Sequence, residues 1–176
     1  MAPPLAARLV ERLWFRPPRP KIAAEVRAAL DRGERLSLSV HGRRVAGWSF
    51  GAGPTVLLVH GWGGYAGQLL GLAARLVERG FRVVAYDAPG HGLSDESRLG
   101  PRQSSFIEVE ATLLATAERH GAFHGMIAHS GGCTAATLAL RAGLPVGRSV
   151  FVARQWPSRR PTSRRSARLW ARASRS

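Results

Sequence analysis

The chain has 176 residues, enough for one domain with its own core and too few for two comfortable ones. A hydrophobic share of 45% excludes disorder throughout, and no apolar run reaches the roughly 18 to 20 residues that span a bilayer. The net charge of +15 invites a nucleic-acid or membrane-surface reading, but all eleven acidic residues precede residue 119, while 154–176 holds eight arginines and no acid.

The N-terminus makes a poor signal peptide, because Arg8, Glu11 and Arg12 break the apolar stretch and no small-residue cleavage site follows. The single cysteine, Cys133, excludes an internal disulfide framework and fits a reducing compartment, so the cytoplasm is the expected location. Leu5, Leu9, Leu13 and Trp14 recur at helical spacing until RPPRP stops them, and Ile22 to Leu30 resumes the pattern up to Gly33. RLSLSV and RRVAGWSF flank His41-Gly42 as an antiparallel hairpin. TVLLVH follows as a strand buried on both faces.

From there strands and helices alternate. A Gly-rich bend, GWGGYAG, leads to a helix from about Gln68 to Arg79, closed by Gly80. FRVVAYD is the next strand, then come a long loop and a helix from about Ser104 to His120 with Phe106, Val109, Leu113 and Leu114 on one side. HGMIAHS is a third buried strand, GGCTAATLALRAG a helix of small residues, and RSVFVA a fourth buried strand. Such alternation predicts a mostly parallel sheet with helices on both faces, preceded by the antiparallel hairpin, with ligands at the carboxyl ends of the strands. The expected organisation is a helical segment over 1–33, an α/β domain over 34–153, and an Arg/Ser-rich segment over 154–176. That last segment reads either as a disordered basic tail or as residues not selected to complete the fold, as after a frame shift in GC-rich coding sequence.

Three motifs carry chemistry. In IAHSGG, Ser130 stands between a strand and a helix, with the small residues Ala128 and Gly132 two places on either side. A nucleophilic serine needs such a tight turn, which brings backbones too close for bulk at those positions. The alternative reading is a serine that caps a helix N-terminus. A tetrahedral intermediate of acyl transfer needs two backbone N–H donors. Gly131, after the nucleophile, is one candidate and Trp62, in His60-Gly61-Trp62-Gly63, is the other. The Trp62 indole is read either as a cover for an acyl pocket or as a packed loop residue. His60 is expected to orient the bend by hydrogen bonding.

HGWGG, YDAPGHGLSD and AHSGG, in that order and at these separations, resemble the α/β-hydrolase superfamily, in its bacterial esterase, lipase or serine-aminopeptidase-like branch. The resemblance covers about Leu36 to Ala153. It implies an α/β-hydrolase core, Ser130 as nucleophile, and an ester or related acyl compound as small-molecule substrate. It also implies a structural role for Asp87, Gly90, Gly92 and Ser94 in the loop after a strand, so that Asp87 is not the triad acid. No cofactor and no metal are implied.

The departure from the family lies downstream. There the acid and then the histidine follow the serine, and after Ser130 this sequence has no Asp, Glu or His. His129 is expected to project beside the elbow but to face away from Ser130, since neighbouring side chains alternate. The chain is thus expected to be C-terminally truncated as a hydrolase and inactive or very weak by itself. Cys133 is read as a small packed residue.

Two other readings remain. Gly61-x-Gly63-x-x-Ala66 with Asp87 matches a dinucleotide-binding fingerprint. The arginine-rich segment, with Trp156 and Trp170, fits a non-enzymatic basic binding module, though without any element for specific nucleic-acid recognition. Nothing in the sequence fixes an oligomeric state.

Overall fold

The computed structural model describes residues 5–153; the segment 154–176, read above as a basic tail, lies outside the described residues. Helices α1 (Leu5–Trp14) and α2 (Ala24–Leu30) come first. Strands β1 (Glu34–Val40) and β2 (Arg43–Phe50) then form the expected hairpin. Its turn residues His41 and Gly42 both adopt positive φ, at 49° and 73°. A two-residue turn of that hand matches the twist of the strands it joins.

The remaining elements are β3 (Thr55–Val59), a 3-10 turn (Ala66–Leu69) running into α3 (Leu70–Val77), β4 (Arg82–Tyr86), α4 (Phe106–His120), β5 (Gly125–His129), α5 (Gly131–Arg141) and β6 (Ser149–Val152). The helix expected from about Gln68 therefore starts tighter than an α-helix. It ends where expected: Gly80 takes φ 78° and donates to the Val77 carbonyl, while Phe81 N–H reaches back to Leu76. This is the Schellman closure that favours glycine.

The sheet order is β1-β2-β4-β3-β5-β6. β4, β3, β5 and β6 run parallel, and β2 joins β4 antiparallel. Alternation along each strand divides the core in two. Val56 and Leu58 of β3 join Val83 and Ala85 of β4 beneath α2 and α3. Leu57 and Val59 join Val84 and Tyr86 on the other face, beneath α4 and α5. The apolar runs of β3 and β4 are continuous because both faces are covered, whereas β6, also apolar in sequence, leaves Val150 and Phe151 exposed. Small residues on α5 (Gly132, Ala135, Ala136 and Ala139, all buried) let that helix lie close to the sheet.

Candidate active site

The turn at Ser130 is the sharpest feature at the carboxyl end of the sheet. β5 ends at His129, Ser130 takes φ 50° and ψ −124°, and α5 begins at Gly131. Positive φ is costly for a side chain with a Cβ, on the order of 1–3 kcal/mol, and survives only where neighbours impose it. Here Ser130 N–H donates to the Val152 carbonyl on β6 (2.9 Å), and Cys133 N–H donates to the Ser130 carbonyl (2.8 Å). The peptide on each side is thereby fixed. The Ser130 side chain is exposed and caps no N–H of α5, which removes the helix-capping reading.

Close backbone approach explains the small residues around it. Ala128 is fully buried. A Cβ on Gly132 would overlap the carbonyl oxygen of His60. One on Gly131 would lie 3.0 Å from the Trp62 amide nitrogen, and one on Gly61 would lie 3.1 Å from the Ser130 Cβ. Ser130, Gly131 and Trp62 are thus brought together from two loops that are 68 residues apart in the chain at Trp62 and Ser130.

His60 holds the first of these loops. Its Nδ1 donates to the Gly61 carbonyl (2.8 Å) and its Nε2 accepts from Ala88 N–H (3.1 Å), so both nitrogens are committed to backbone. Burial holds its pKa below the ordinary histidine value, against the pull of Asp87 and the Gly61 carbonyl. The expectation of an orienting hydrogen-bonder fits that geometry. Asp87 is fully buried and accepts from Ala66 N–H (2.6 Å) and Leu93 N–H (2.8 Å). Burial raises its pKa, opposed by His60, the two amides and Arg19. Gly92, at φ 47°, leaves no room for a Cβ beside this carboxylate, and Ser94 Oγ donates to the Asp87 carbonyl while accepting from Ala46 N–H. With both oxygens occupied and no exposed surface, Asp87 has nothing to offer a ribose. Pro18, not a phosphate, fills the space beside Gly63, 2.7 Å from where a Cβ would stand.

The Trp62 indole is half-buried between the rings of His91 (5.5 Å, edge-on) and Phe106 (5.0 Å). His91 stacks in turn against His60 at 5.0 Å. Sequence reasoning did not assign His91 a part in this packing. Its Nδ1 donates to the Pro89 carbonyl (3.1 Å), its Nε2 is buried without a partner among the described residues, and burial pushes its pKa down to about 3. A cavity of about 10 Å³ remains among His60, Trp62, His91, Phe106 and Gly131. That is room for about one water, against the roughly 300–1,000 Å³ of small-molecule sites, so the described residues form a floor without walls.

His129 lies beside the elbow as expected: its Nδ1 and the Ser130 Cβ stand 3.2 and 3.1 Å from where a Cβ on Gly61 would be. The His129 Nε2 is buried without a partner among the described residues, and no hydrogen bond joins the Ser130 hydroxyl to a base there. Cys133 donates its thiol to the Ala128 carbonyl (3.3 Å) and packs as a small core residue.

Sequence reasoning also missed Glu108 and Arg19. Glu108, almost fully buried, binds Ser97 Oγ (2.7 Å) and Arg98 N–H (3.1 Å), which pins the long loop before α4. The S-x-x-E spacing of Ser105 and Glu108 was the available signal. Arg19 reaches the Gly92 and Ser94 carbonyls, and no local pattern announces that contact.

The model of the family described as "Serine aminopeptidase, S33" matches residues 52–173. An uncharacterized protein of Mycobacterium tuberculosis is 38% identical over 77 residues, 44% of this chain and 22% of that protein. The pimeloyl-[acyl-carrier protein] methyl ester esterase of Methylococcus capsulatus is 50% identical over 44 residues, 25% of this chain and 17% of that protein. Among solved structures, an epoxide hydrolase from Vigna radiata is similar with a TM-score of 0.60 at 21% identity, over 78% of this chain and 46% of that one. An α/β hydrolase from Sphaerobacter thermophilus gives 0.58 at 27%, over 66% and 44%. An esterase from Exiguobacterium antarcticum gives 0.61 at 19%, over 67% and 44%. The chain spans less than half the length of each of these proteins. With a mostly parallel sheet of this order and a family model over more than half its residues, the chain belongs to the serine aminopeptidase, S33, family of α/β-hydrolases.

Proposed function

We propose that this chain carries the nucleophile half of a serine hydrolase that acts on a small ester or related acyl compound. Ser130 attacks the acyl carbon, and the backbone N–H groups of Trp62 and Gly131 hold the oxyanion. The observation that carries this reading is the strained, positive-φ Ser130 with an exposed hydroxyl, packed against the Trp62–Gly131 approach. A serine that merely linked a strand to a helix would have no reason to keep that conformation. The M. capsulatus relative, an esterase by name, supports the substrate class.

Residues 131–176 supply no Asp, Glu or His, so Ser130 lacks a downstream base and the 176-residue chain is a weak catalyst. Purified chain should turn over short p-nitrophenyl esters negligibly, and Ser130→Ala should change little. A chain extended to supply an acid and then a histidine downstream should gain about 10³-fold or more, and Ser130→Ala should abolish that gain. Strong Ser130-dependent hydrolysis by the 176 residues alone would refute the weak-catalyst reading. His129, which borders Gly61 beside Ser130, would then be the first base to test.

A further inference from the structure

Helix α1 leaves its apolar side uncovered. Leu5 is 85% exposed, Leu9 59%, Val10 62%, Leu13 58% and Trp14 72%. At about 100° per residue these five positions, with Ala6 and Ala7, occupy an arc of about 200°, and Arg8, Glu11 and Arg12 share the rest. Around this arc the charge has one dominant sign. Residues 1–24 contain Arg8, Arg12, Arg16 and Lys21 against the single acid Glu11, besides Arg19, whose guanidinium is taken up by the Gly92 and Ser94 carbonyls. A monomeric fold does not keep five large apolar side chains in water without a use for them.

The helix is also tied to one particular end of the molecule. The segment that follows it is fastened to the loops beside Ser130. Phe15 accepts from Ser104 N–H (3.0 Å), Pro18 packs on Gly63, and the Arg19 guanidinium reaches the Ser94 carbonyl (2.9 Å). All three contacts lie on loops at the carboxyl ends of β3 and β4.

We propose that α1 is an interfacial anchor that docks the protein on an anionic lipid surface, with the Ser130 end of the sheet turned toward the membrane. The reading of Ser130 as a nucleophile is not needed for it. Ten residues of helix measure about 15 Å, half of a hydrocarbon core, so the helix lies in the interface and does not cross it. The apolar arc enters the headgroup boundary, Trp14 sits where indoles prefer to be, and the basic residues meet lipid phosphates. A purely electrostatic partner such as nucleic acid would leave the apolar arc unexplained.

The test is sedimentation of the full 176-residue chain with vesicles. Binding to phosphatidylcholine mixed with phosphatidylglycerol should be strong, and binding to phosphatidylcholine alone weaker by roughly tenfold or more. Leu9→Glu combined with Leu13→Glu should lose roughly tenfold or more on the mixed vesicles while keeping the wild-type melting curve, since both positions are exposed. Replacing Arg159, Arg160, Arg164 and Arg165 by Ser should leave quenching of Trp14 by brominated lipid intact, and Trp14→Phe should remove it. Undiminished binding by the Leu9→Glu, Leu13→Glu chain would place the affinity in the arginine-rich segment and overturn the proposal. So would a wild-type dimer that this double variant dissociates without any vesicle binding, because the face would then be covered by a second copy.

Discussion

His91 shows how a single residue can be both legible and opaque. Its place in PGHG marked the loop, but its role follows from burial between His60 and Trp62, which only packing creates. Burial has a consequence for stability. In the fold His91 titrates at about 3, against an ordinary value of 6.5. The unfolded chain therefore takes up the proton first as pH falls. The stability tied to neutral His91 is complete above about pH 6.5 and is lost progressively from there toward pH 3. Asp87, whose pKa burial raises, acts with the opposite sign. As pH falls through this range, urea midpoints of the wild-type chain should therefore lose ground to those of His91→Asn, which keeps a donor for the Pro89 carbonyl. Equal slopes in the two proteins would count against a buried neutral imidazole. Ser130 is the contrasting case: its small neighbours Ala128 and Gly132 were readable because a steric demand acts within five consecutive residues.

Among elements, α4 is held by its start. Ser105 Oγ accepts from Glu108 N–H (3.2 Å), and the Glu108 carboxylate accepts from Ser97 Oγ and Arg98 N–H, joining the helix to the loop before it. Along the buried side, Thr112 and Thr116 return their hydroxyls to the carbonyls of Glu108 and Thr112, so neither is left unsatisfied. Ser105→Ala should cost about 1 kcal/mol, an ordinary cap loss. Glu108→Ala should cost about 2 kcal/mol or more, because it also strands Ser97 and the Arg98 amide. Denaturant unfolding of the two variants decides this, and equal losses would show that the loop contacts contribute nothing. The helix itself was legible from its 3.6-residue period, since Val109 and Leu113 do face the core. The paired helices at the N-terminus were equally legible, but only α2 packs onto the sheet.

At the scale of the molecule, the sheet ends on one side with β6, which has no outer neighbour among the described residues. Val150 and Phe151, on opposite faces of that strand, are 54% and 46% exposed. Exposed apolar edges template the addition of other chains. The 176-residue chain should accordingly associate as its concentration rises, and Val150→Lys should reduce light scattering without lowering the melting temperature. A clean monomer at all concentrations, insensitive to Val150→Lys, would sink this expectation.

The sequence by itself determined the strand and helix order, the hairpin, the division into doubly buried strands, and the serine-bearing turn. All of these depend on periodicity or on steric limits within a few neighbouring residues. Only the tertiary structure decided what crosses long stretches of chain: the approach of Trp62 to Gly131, the closure of Asp87 by two loop amides, and the clasp of Arg19 on the Ser94 loop. It also decided that the apolar side of α1 faces outward and not onto the sheet. Periodicity gives a helix an apolar face but carries no information about what that face meets, because the partner is chosen by the packing of residues remote in the chain.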